Sequence, residues 1–298
     1  MHNEAVLTRD PNGVREYSAE KIEMTQRGLY PDIFPSTDWY KAMFKDYTIN
    51  QRANISVSGG GTIARYYVAA SVTKDNGNLK VDKRSNFNSN INLTKYAVRS
   101  NVNVNLTKTT ELILRLSSTF DEYRGPIDGG SAMYRKVMQA NPVYFKPSYE
   151  PDDNFSYVDH VLFGNYATAD YINPYAQAQR GYRDYSKNMT MTQFELKQNL
   201  GMLTDGLTFR AMLNMNRFSE FTVSRLYRPF YYNIDTYDLS ENSYTLKNLN
   251  PETGSTFLQY SPGQRNINTV FYLESALEYN KNIAEKHSLN ALLVYIMR

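Results

Sequence analysis

The sequence contains no cysteine, a single tryptophan and three histidines in 298 residues. Without cysteine the chain cannot form disulfides, a cysteine-based zinc site or a thiol nucleophile. His2, His160 and His287 lie far apart and lack the spacing of metal ligands or of a catalytic group. No glycine-rich loop follows a strand and opens a helix, so nothing indicates nucleotide binding. We therefore expect no cofactor and no catalytic residue, and we do not expect an enzyme.

Long hydrophobic runs and an excess of one charge are also missing. The longest apolar runs, 66–72 and 291–297, reach only about seven residues, whereas a membrane helix needs ~20. This excludes helical spans but not membrane strands, which present apolar side chains only at every second position. The formal net charge is +3, so no nucleic-acid partner is expected. The start of the chain lacks a signal peptide, which predicts either a cytoplasmic protein or a missing beginning.

The chain has instead a repeated alternation of apolar and polar residues. Val98, Val102 and Val104 alternate with Arg99 and with asparagines. After a turn at 108–110 the alternation resumes with Leu112, Leu114 and Leu116. A period of two places these apolar side chains on one face of a strand and the polar ones on the other. The whole pattern predicts eight strands, at about 51–58, 63–74, 91–107, 110–123, 188–203, 207–223, 266–281 and 286–297.

The connections between these strands alternate strictly between short and long. Short turns are predicted near 59–62, 108–110, 204–206 and 282–285, and long connections near 75–90, 124–187 and 224–264. A transmembrane β-barrel has tight turns on its periplasmic side and long loops outside, whereas a sandwich has no reason to separate loop lengths in this way. We therefore predict an all-β fold, an antiparallel transmembrane β-barrel segment. A soluble β-rich binding or adhesion module, with an aromatic loop as its contact surface, is the alternative.

Outside the strands the sequence predicts only short helices. Residues 1–50 form an irregular, short-helical segment within the barrel region, with helical turns expected at 21–27 and 38–44. Residues 51–298 form the partial outer-membrane barrel. One more short helix is predicted at 130–140, inside the longest connection, because Met133, Val137 and Ala140 have helical spacing.

Short motifs along the chain carry a family resemblance. They are Asn3-Glu4-Ala5, Tyr30-Pro31-Asp32, Asp38-Trp39-Tyr40, Ile55-Ser56-Val57-Ser58-Gly59-Gly60, Arg65-Tyr66-Tyr67-Val68, Arg99-Ser100-Asn101-Val102-Asn103, Leu106-Thr107-Lys108 and Ala140-Asn141-Pro142. In this order and spacing they resemble the SusC/RagA family of TonB-linked (TonB-dependent) outer-membrane transporters, over nearly the whole chain.

The resemblance implies a barrel of about 22 strands with a plug, located in the outer membrane of a Gram-negative bacterium. It also implies a SusD-like surface lipoprotein as a partner, and import of oligosaccharides or peptides driven through the TonB complex. Family members are longer and carry a plug and a TonB-contacting segment that this sequence lacks. We therefore expect an internal fragment of about eight strands that contacts outer-membrane lipid and is not transport-competent alone.

Two groups of residues are candidates for function, and one acidic pair is a weak candidate. Aromatic side chains crowd the longest loop and are expected to pack it or to contact substrate or lid: Tyr144, Tyr149, Tyr157, Tyr166, Tyr171, Tyr175, Tyr182 and Tyr185. Charged side chains on the polar strand faces are expected to face the lumen: Arg65, Arg99, Arg115, Glu195, Lys197 and Arg210. Asp152 and Asp153 could hold Ca²⁺ through oxygen ligands, but we predict no metal site there, only a solvated acidic loop.

Overall fold

The fold was analysed in a computed structural model, which describes residues 2–82, 84–85, 87–283 and 287–298. Five short helices are present in this part of the chain: α1 (His2–Arg9), α2 (Ala19–Arg27), α3 (Trp39–Met43), α4 (Gly130–Gln139) and α5 (Pro174–Gln179). The strands are β1 (Gln51–Gly60), β2 (Ala64–Asn76), β3 (Asn92–Asn105), β4 (Thr110–Gly125), β5 (Ser148–Tyr149), β6 (Leu162–Gly164), β7 (Gly181–Asn199), β8 (Leu207–Leu226), β9 (Tyr231–Asp238), β10 (Ser243–Asn248), β11 (Gln259–Ile283) and β12 (His287–Met297).

Eight of these strands form one large antiparallel sheet. Its order is β1-β2-β3-β4-β7-β8-β11-β12, so each strand pairs with the next long strand along the chain. The predicted antiparallel fold with about eight strands is therefore confirmed. The strands β1 and β12 form the two edges of the described sheet.

The two faces of the sheet differ in polarity. Val102 lies opposite Tyr66 on one side and Leu114 on the other. Directly opposed residues share a face, and this row continues across the sheet through Phe194, Leu213, Leu273 and Met297. Many side chains on this face are exposed, among them Phe194 at 48% and Leu213 at 42%. The sheet therefore presents a broad apolar face to its surroundings.

Charged and amide side chains occupy the opposite face. In the neighbouring row Asn101 lies opposite Arg115, which lies opposite Gln193. The strands are thus amphipathic across their width, as the period of two predicts. We call these surfaces the apolar face and the polar face of the sheet.

The ends of the sheet differ as strongly as its faces. One end carries the turns 61–63, 106–109 and 200–206. Gly206 permits the last of these turns, because its φ is 87° and an added Cβ would lie 2.1 Å from the Asn280 carbonyl oxygen. The predicted turn at 282–285 falls partly on residues 284–286, which lie outside the described residues, as does the start of the last predicted strand at 286.

The other end carries the long connections, and these are folded rather than irregular. Together with residues 2–50, the described parts of the first long connection (77–82, 84–85 and 87–91) and the connections 126–180 and 227–258 form what we call the loop layer. Its own four-stranded sheet has the order β10-β9-β6-β5. β6 and β9, which pair in parallel, come from different connections, so this small sheet joins two loops of the large one.

Two apolar clusters hold the loop layer together. The first unites the N-terminal segment with the loop helices and contains Trp39, Met43, Phe44, Leu79, Met133, Val137, Tyr144, Phe145 and Ala178. The second lies on the small sheet and contains Tyr149, Leu162, Tyr232 and Leu246. The apolar core of the chain thus lies mainly in the loop layer, whereas most of the large sheet is exposed or half-buried.

Local sequence signals explain where the short helices begin and end. Ser18 caps α2 by accepting a hydrogen bond from the Lys21 N–H, and Gly28 ends the helix in a left-handed conformation with φ 65°. Asp38 caps α3 through the Lys41 N–H at 2.9 Å. Trp39, the next residue, points into the first cluster and donates its ring N–H to the Asn141 carbonyl at 2.9 Å. The Asp38-Trp39-Tyr40 motif therefore fixes the N-terminal segment on the longest loop.

Several element bounds differ from those predicted. β7 begins at Gly181 rather than near 188, and β11 begins at Gln259 rather than near 266. α1, α5 and the strands of the small sheet have no counterpart in the prediction. The division of the chain into residues 1–50 and a barrel region stays a prediction. Among the described helices, none is both long and apolar enough to cross a membrane.

Candidate functional site

The six charged residues predicted to face a lumen all lie on the polar face of the sheet. Arg65 opposes Asn103, Arg99 opposes Ser117, and Lys197 opposes both Glu111 and Arg210. Arg115 and Glu195 lie on the same face in β4 and β7. That this face lines a channel stays a prediction, but five of the six residues take part in ion pairs on it.

Glu195 is a central member of this set. Its side chain is only 7% exposed, and its carboxylate lies 3.7 Å from the Arg115 guanidinium and 3.5 Å from the Lys197 ammonium. Gln193 donates a further hydrogen bond to it at 3.0 Å. A buried carboxylate needs such partners, since an unpaired charge away from water is strongly destabilising.

A second ion-pair group surrounds Arg210. Its guanidinium lies 2.7 Å from the Glu274 carboxylate and 3.6 Å from that of Glu278. Tyr272 donates its hydroxyl to Glu274 at 2.5 Å. One group of ion pairs thus joins β4 to β7 and the other joins β8 to β11, and a further pair between Arg65 and Glu111, 3.8 Å apart, joins β2 to β4.

Three of the eight predicted loop tyrosines form an aromatic cluster in the loop layer. The rings of Tyr144 and Tyr166 stack at 4.5 Å with 5° between their planes, and Tyr171 meets Tyr144 edge-on at 5.0 Å. The Lys21 ammonium lies 5.3 Å from the Tyr144 ring centre, and burial lowers the pKa of this lysine. Tyr166 and Tyr171 remain 37% and 38% exposed. This cluster therefore joins the N-terminal segment to the longest loop and leaves ring surface open.

The other five tyrosines have different surroundings. Tyr149 is buried in the second apolar cluster, whereas Tyr157 is 78% exposed. Tyr182 and Tyr185 belong to β7, so their assignment to a loop is wrong. Pairing with β4 and β8 extends the strand past the point where the alternation of apolar residues begins at about 188.

Tyr175 links two loops through a charged pair that the sequence did not single out. Its hydroxyl donates a hydrogen bond to the Asp82 carboxylate, which also binds the Arg84 guanidinium at 2.8 Å. Burial alone would raise the pKa of Asp82, but the hydrogen bonds from Arg84 and Tyr175 outweigh it and lower that pKa to about 2. Burial and the bond to Asp82 raise the pKa of Tyr175 to about 12. Asp82 is therefore a carboxylate throughout the physiological range.

The acidic pair at 152–153 has a structural explanation. The Asp152 carboxylate accepts hydrogen bonds from the backbone N–H groups of Phe155 at 3.0 Å and Leu246 at 2.7 Å. Asp152 thereby ties β10 to the longest loop. Among the described residues, no group of three or more potential ligands could hold a metal ion.

A half-open cavity of ≈780 Å³ lies in the loop layer between its three long connections. Aromatic rings form much of its wall: Phe87, Tyr157, Phe163, Tyr227, Phe230 and Phe257. Asp82 and Arg84 lie on one side, and His160 lies on another. The His160 ring stacks on Phe230 at 4.7 Å and shares a hydrogen bond of 2.8 Å with the Tyr232 hydroxyl. Burial lowers the pKa of this histidine, although the negative charge of Asp159 acts in the opposite direction. The lowered pKa favours the neutral ring.

Gln179 also lines this cavity, and sequence reasoning missed it. The residue is 3% exposed. Within the described part of the chain, neither its amide oxygen nor its amide nitrogen has a hydrogen-bond partner. A single glutamine near the end of a short helix gives no sequence signal, because its unpaired state depends on packing between distant loops.

Comparison with known proteins gives matches in structure but not in sequence. Neither protein-family models nor curated protein sequences match the chain. A chain of the RagAB peptide importer in the open-open state matches with a TM-score of 0.60 and 17% sequence identity, over 99% of this chain. The closed-closed state of the same importer gives a TM-score of 0.58 and 15% identity, again over 99% of this chain.

These comparisons concern only a part of the larger protein. The present chain spans 32% of the length of the matched importer chain, about a third. At such low identity the likeness establishes the fold. The fold implied by the resemblance to the SusC/RagA family is thus confirmed: this chain is folded like the matching third of the importer chain, as an antiparallel β-barrel segment.

Proposed function

We propose that this chain forms part of the wall and the outer loops of a TonB-dependent transporter in the outer membrane of a Gram-negative bacterium. The observation that carries the proposal is the two-faced sheet, with an exposed apolar face and a charged polar face. A soluble module would bury such an apolar face against a second layer. A barrel wall needs the opposite arrangement, with apolar side chains toward lipid and polar ones toward the lumen.

The polar face supports a role as the inner wall of a channel. Several of its charges are paired with one another, as in the groups around Glu195 and Arg210. We propose that this surface meets water or a plug inside the barrel. The transported substrate is an oligosaccharide or a peptide, and the matched importer carries peptides. We propose a role in transport rather than in catalysis, since the matched structures are those of an importer.

The loop layer supports contact with a partner outside the cell. If the short turns face the periplasm, the folded long loops lie on the outer side of the membrane. The open ring surfaces of Tyr166 and Tyr171 then offer apolar area with polar edges, which is typical of protein interfaces. We propose that a SusD-like surface lipoprotein docks on this layer and closes the mouth of the transporter.

The eight strands do not act alone in this proposal. Both edges of the described sheet carry backbone groups that must be paired in lipid, because water is absent there. We propose that further strands close the barrel, and that a plug contacting the TonB complex provides the energised step. The eight strands by themselves do not transport.

Cell fractionation tests the proposed location and class. The protein is expressed from its complete gene in its own host, and the membranes are washed at high salt and alkaline pH. We expect the protein to stay in the outer-membrane fraction and to require detergent for release. Recovery in the soluble fraction without detergent would contradict the proposal and would favour the soluble binding module.

Affinity purification from detergent-solubilised membranes tests the proposed partner. We expect a lipoprotein to co-purify with the unchanged protein, and we expect less of it with Tyr166→Ala and Tyr171→Ala combined. Tyr134→Ala is a suitable control, because this ring is 51% exposed on α4 outside the tyrosine cluster. Equal recovery of the lipoprotein with both variants would place the interface elsewhere.

A further inference from the structure

The apolar face of the large sheet has an uncharged band on the side of the short turns. On β4 no charged side chain lies on this face from Leu112 to Phe120, and on β8 none lies on it from Leu207 to Met215. Each stretch is nine residues long, and a tilted strand crosses a bilayer in about 9–11 residues. This band is therefore tall enough to cover the hydrocarbon of a membrane.

Toward the loop layer the same face becomes basic. Beyond the uncharged band, the described strands carry five cations and two carboxylates on it: Lys74, Arg124, Arg217, Arg225 and Arg265, against Glu122 and Asp184. Within the described part of the chain, only Arg124 of the five pairs with a carboxylate, that of Asp184 at 2.7 Å. Positive charge is therefore in excess where the strands leave the band.

Tyr182 holds two of these arginines next to each other. Its side chain is 8% exposed, its ring centre lies 4.7 Å from the Arg124 guanidinium carbon, and its hydroxyl accepts a hydrogen bond from Arg225 at 3.0 Å. Phe87 of the first long connection packs on the same ring at 5.3 Å. A guanidinium has five N–H donors, and Arg225 uses one of them within the described residues. The two positioned guanidiniums thus keep donors for an anion.

Both guanidiniums line an open groove of ≈630 Å³ on this face. Phe221, Val223 and Tyr260 give the groove apolar walls. The Arg265 guanidinium carbon lies 5.3 Å from the centre of the Phe221 ring. The groove therefore combines apolar surface with two lining guanidiniums and a third beside them.

The two carboxylates that line the groove already have partners. Asp184 accepts two hydrogen bonds from Arg124, at 2.7 and 2.9 Å, and Glu122 accepts one from the Ser186 hydroxyl at 2.8 Å. Arg225 and Arg265 have no carboxylate partner in the part of the chain that the structure describes. The groove therefore retains positive charge that an added anion can balance.

We infer that this groove binds the phosphate groups of lipid A, the phosphorylated glycolipid of the outer leaflet. A guanidinium donates to two phosphate oxygens at once, so arginine suits this headgroup. The acyl chains of the same molecule lie against the uncharged band next to the groove. A free anion would match only the arginines, whereas lipid A matches both the arginines and the apolar surface.

The inference rests on the proposed function, because this end of the apolar face meets the outer leaflet only if the sheet is a barrel wall. It goes beyond that function by naming one lipid and its binding site. Lys74 and Arg217 do not line the groove. We expect them to add only a general attraction to anionic headgroups.

Native mass spectrometry tests the inference on the protein expressed from its complete gene in its own host. The protein is purified in detergent and washed free of bound lipid. It is then titrated with lipid A, with lipid A stripped of its phosphates, and with phosphatidylglycerol. We expect lipid A to bind at least tenfold more tightly than either of the other lipids. Inorganic phosphate at the same concentration should not displace it, which distinguishes the lipid from a free anion.

Arg124→Gln combined with Arg225→Gln should weaken the binding of lipid A at least tenfold, because both positioned guanidiniums are lost. The matched control combines Arg52→Gln with Lys95→Gln, since these residues lie in one row on the polar face at the same end of the sheet. It removes the same charge and should leave binding unchanged. If the first double variant does not reach the membrane, Arg225→Gln alone decides, because this side chain is exposed. It should weaken binding at least threefold.

The inference is overturned if lipid A does not bind, if either of the other lipids binds equally well, or if inorganic phosphate displaces lipid A. Unchanged binding by the deciding variant, or equal weakening by the polar-face control, would overturn it as well. A protein that stays in the outer membrane but does not distinguish lipid A would contradict only the inference. Arginine-dependent lipid A binding by a protein found in the soluble fraction would contradict only the transporter.

Discussion

Asn173 illustrates how single polar side chains organise the loop layer. This residue is completely buried, and its side-chain amide donates to the carbonyls of Pro147 at 2.9 Å and Gly164 at 2.7 Å. Its side-chain oxygen caps α5 by accepting the Ala176 N–H at 3.1 Å. One asparagine thus satisfies backbone groups from three places in the longest loop. Sequence reasoning could not predict this, because its partners are brought together only by the fold.

Asp82 gives a residue-scale prediction about pH. Its folded pKa of about 2 is below the unfolded value of about 3.9, so the ionised form stabilises the folded state. With a side chain only 8% exposed, this contribution is about 2 kcal/mol. It is fully present above pH ~4 and is lost as the pH falls from ~4 to ~2. We expect Asp82→Asn to increase hydrogen exchange in residues 77–82 and 87–91 by about thirtyfold at neutral pH.

The same variant loses its effect in acid, which hydrogen exchange read by mass spectrometry can follow. Near pH 2 the unchanged protein and Asp82→Asn should exchange at similar rates once intrinsic rates are corrected. Tyr175→Phe removes one of the hydrogen bonds to Asp82 and so raises the folded pKa of this carboxyl. The loss of protection in acid should therefore be smaller in this variant and be complete at a higher pH than in the unchanged protein. A difference between Asp82→Asn and the unchanged protein that persists undiminished to pH 2 would contradict this assignment.

At the scale of elements, the sequence predicted the large sheet better than the loop layer. A strand with one apolar and one polar face has a period that can be read locally, as in Val102, Val104, Leu112 and Leu114. The short strands β5 and β6 lack this pattern, because β5 has only two residues and β6 is buried at all three of its positions. The same limit applies to the candidate functional site. The position of the charged residues on the polar face follows from the alternation of apolar and polar residues along each strand, whereas the cavity lined by Gln179 forms only where three loops meet.

The first apolar cluster contains residues of the loop layer and none of the large sheet, which leads to an element-scale prediction that the two unfold separately. Met133 on α4 is fully buried in the cluster that contains Trp39, the sole tryptophan of the chain. Met133→Ala should destabilise this cluster by about 2–5 kcal/mol through the cavity it leaves. In urea we expect the change in Trp39 fluorescence to move to lower concentration, while the loss of strand circular dichroism stays in place.

Met138→Ala is the matched control on the same helix, because Met138 is 62% exposed. It should leave both transitions unchanged, since a surface substitution of this kind removes little packing. If Met133→Ala shifted the fluorescence and the circular dichroism together, the loop layer and the sheet would unfold as one unit and the prediction would be wrong.

At the scale of the whole molecule, apolar surface has two opposite uses. In the loop layer it is buried, as in any water-soluble domain, and Trp39, Phe145 and Tyr232 are at most 4% exposed. On the large sheet it is displayed, with Phe271 at 56% and Leu293 at 71% exposure. This division explains why the average composition is polar although the sheet suits a bilayer. A protein surrounded by water on all sides rarely exposes so large an apolar surface as this face of the sheet.

Leu213 tests this division on the protein made from its complete gene. It lies in the wholly apolar row between Phe194 and Leu273, so Leu213→Arg would place a charge against the hydrocarbon core. Such a charge near the middle of the bilayer costs about 2–4 kcal/mol in barrel proteins. Asn214→Arg changes the next residue of β8, whose side chain lies on the polar face opposite Gln193 and Tyr272, and should cost far less. Urea unfolding of each protein in lipid vesicles, followed by strand circular dichroism, measures the difference. Leu213→Arg should unfold at clearly lower urea than Asn214→Arg, and equal midpoints, or the reverse order, would mean that the apolar face does not meet lipid.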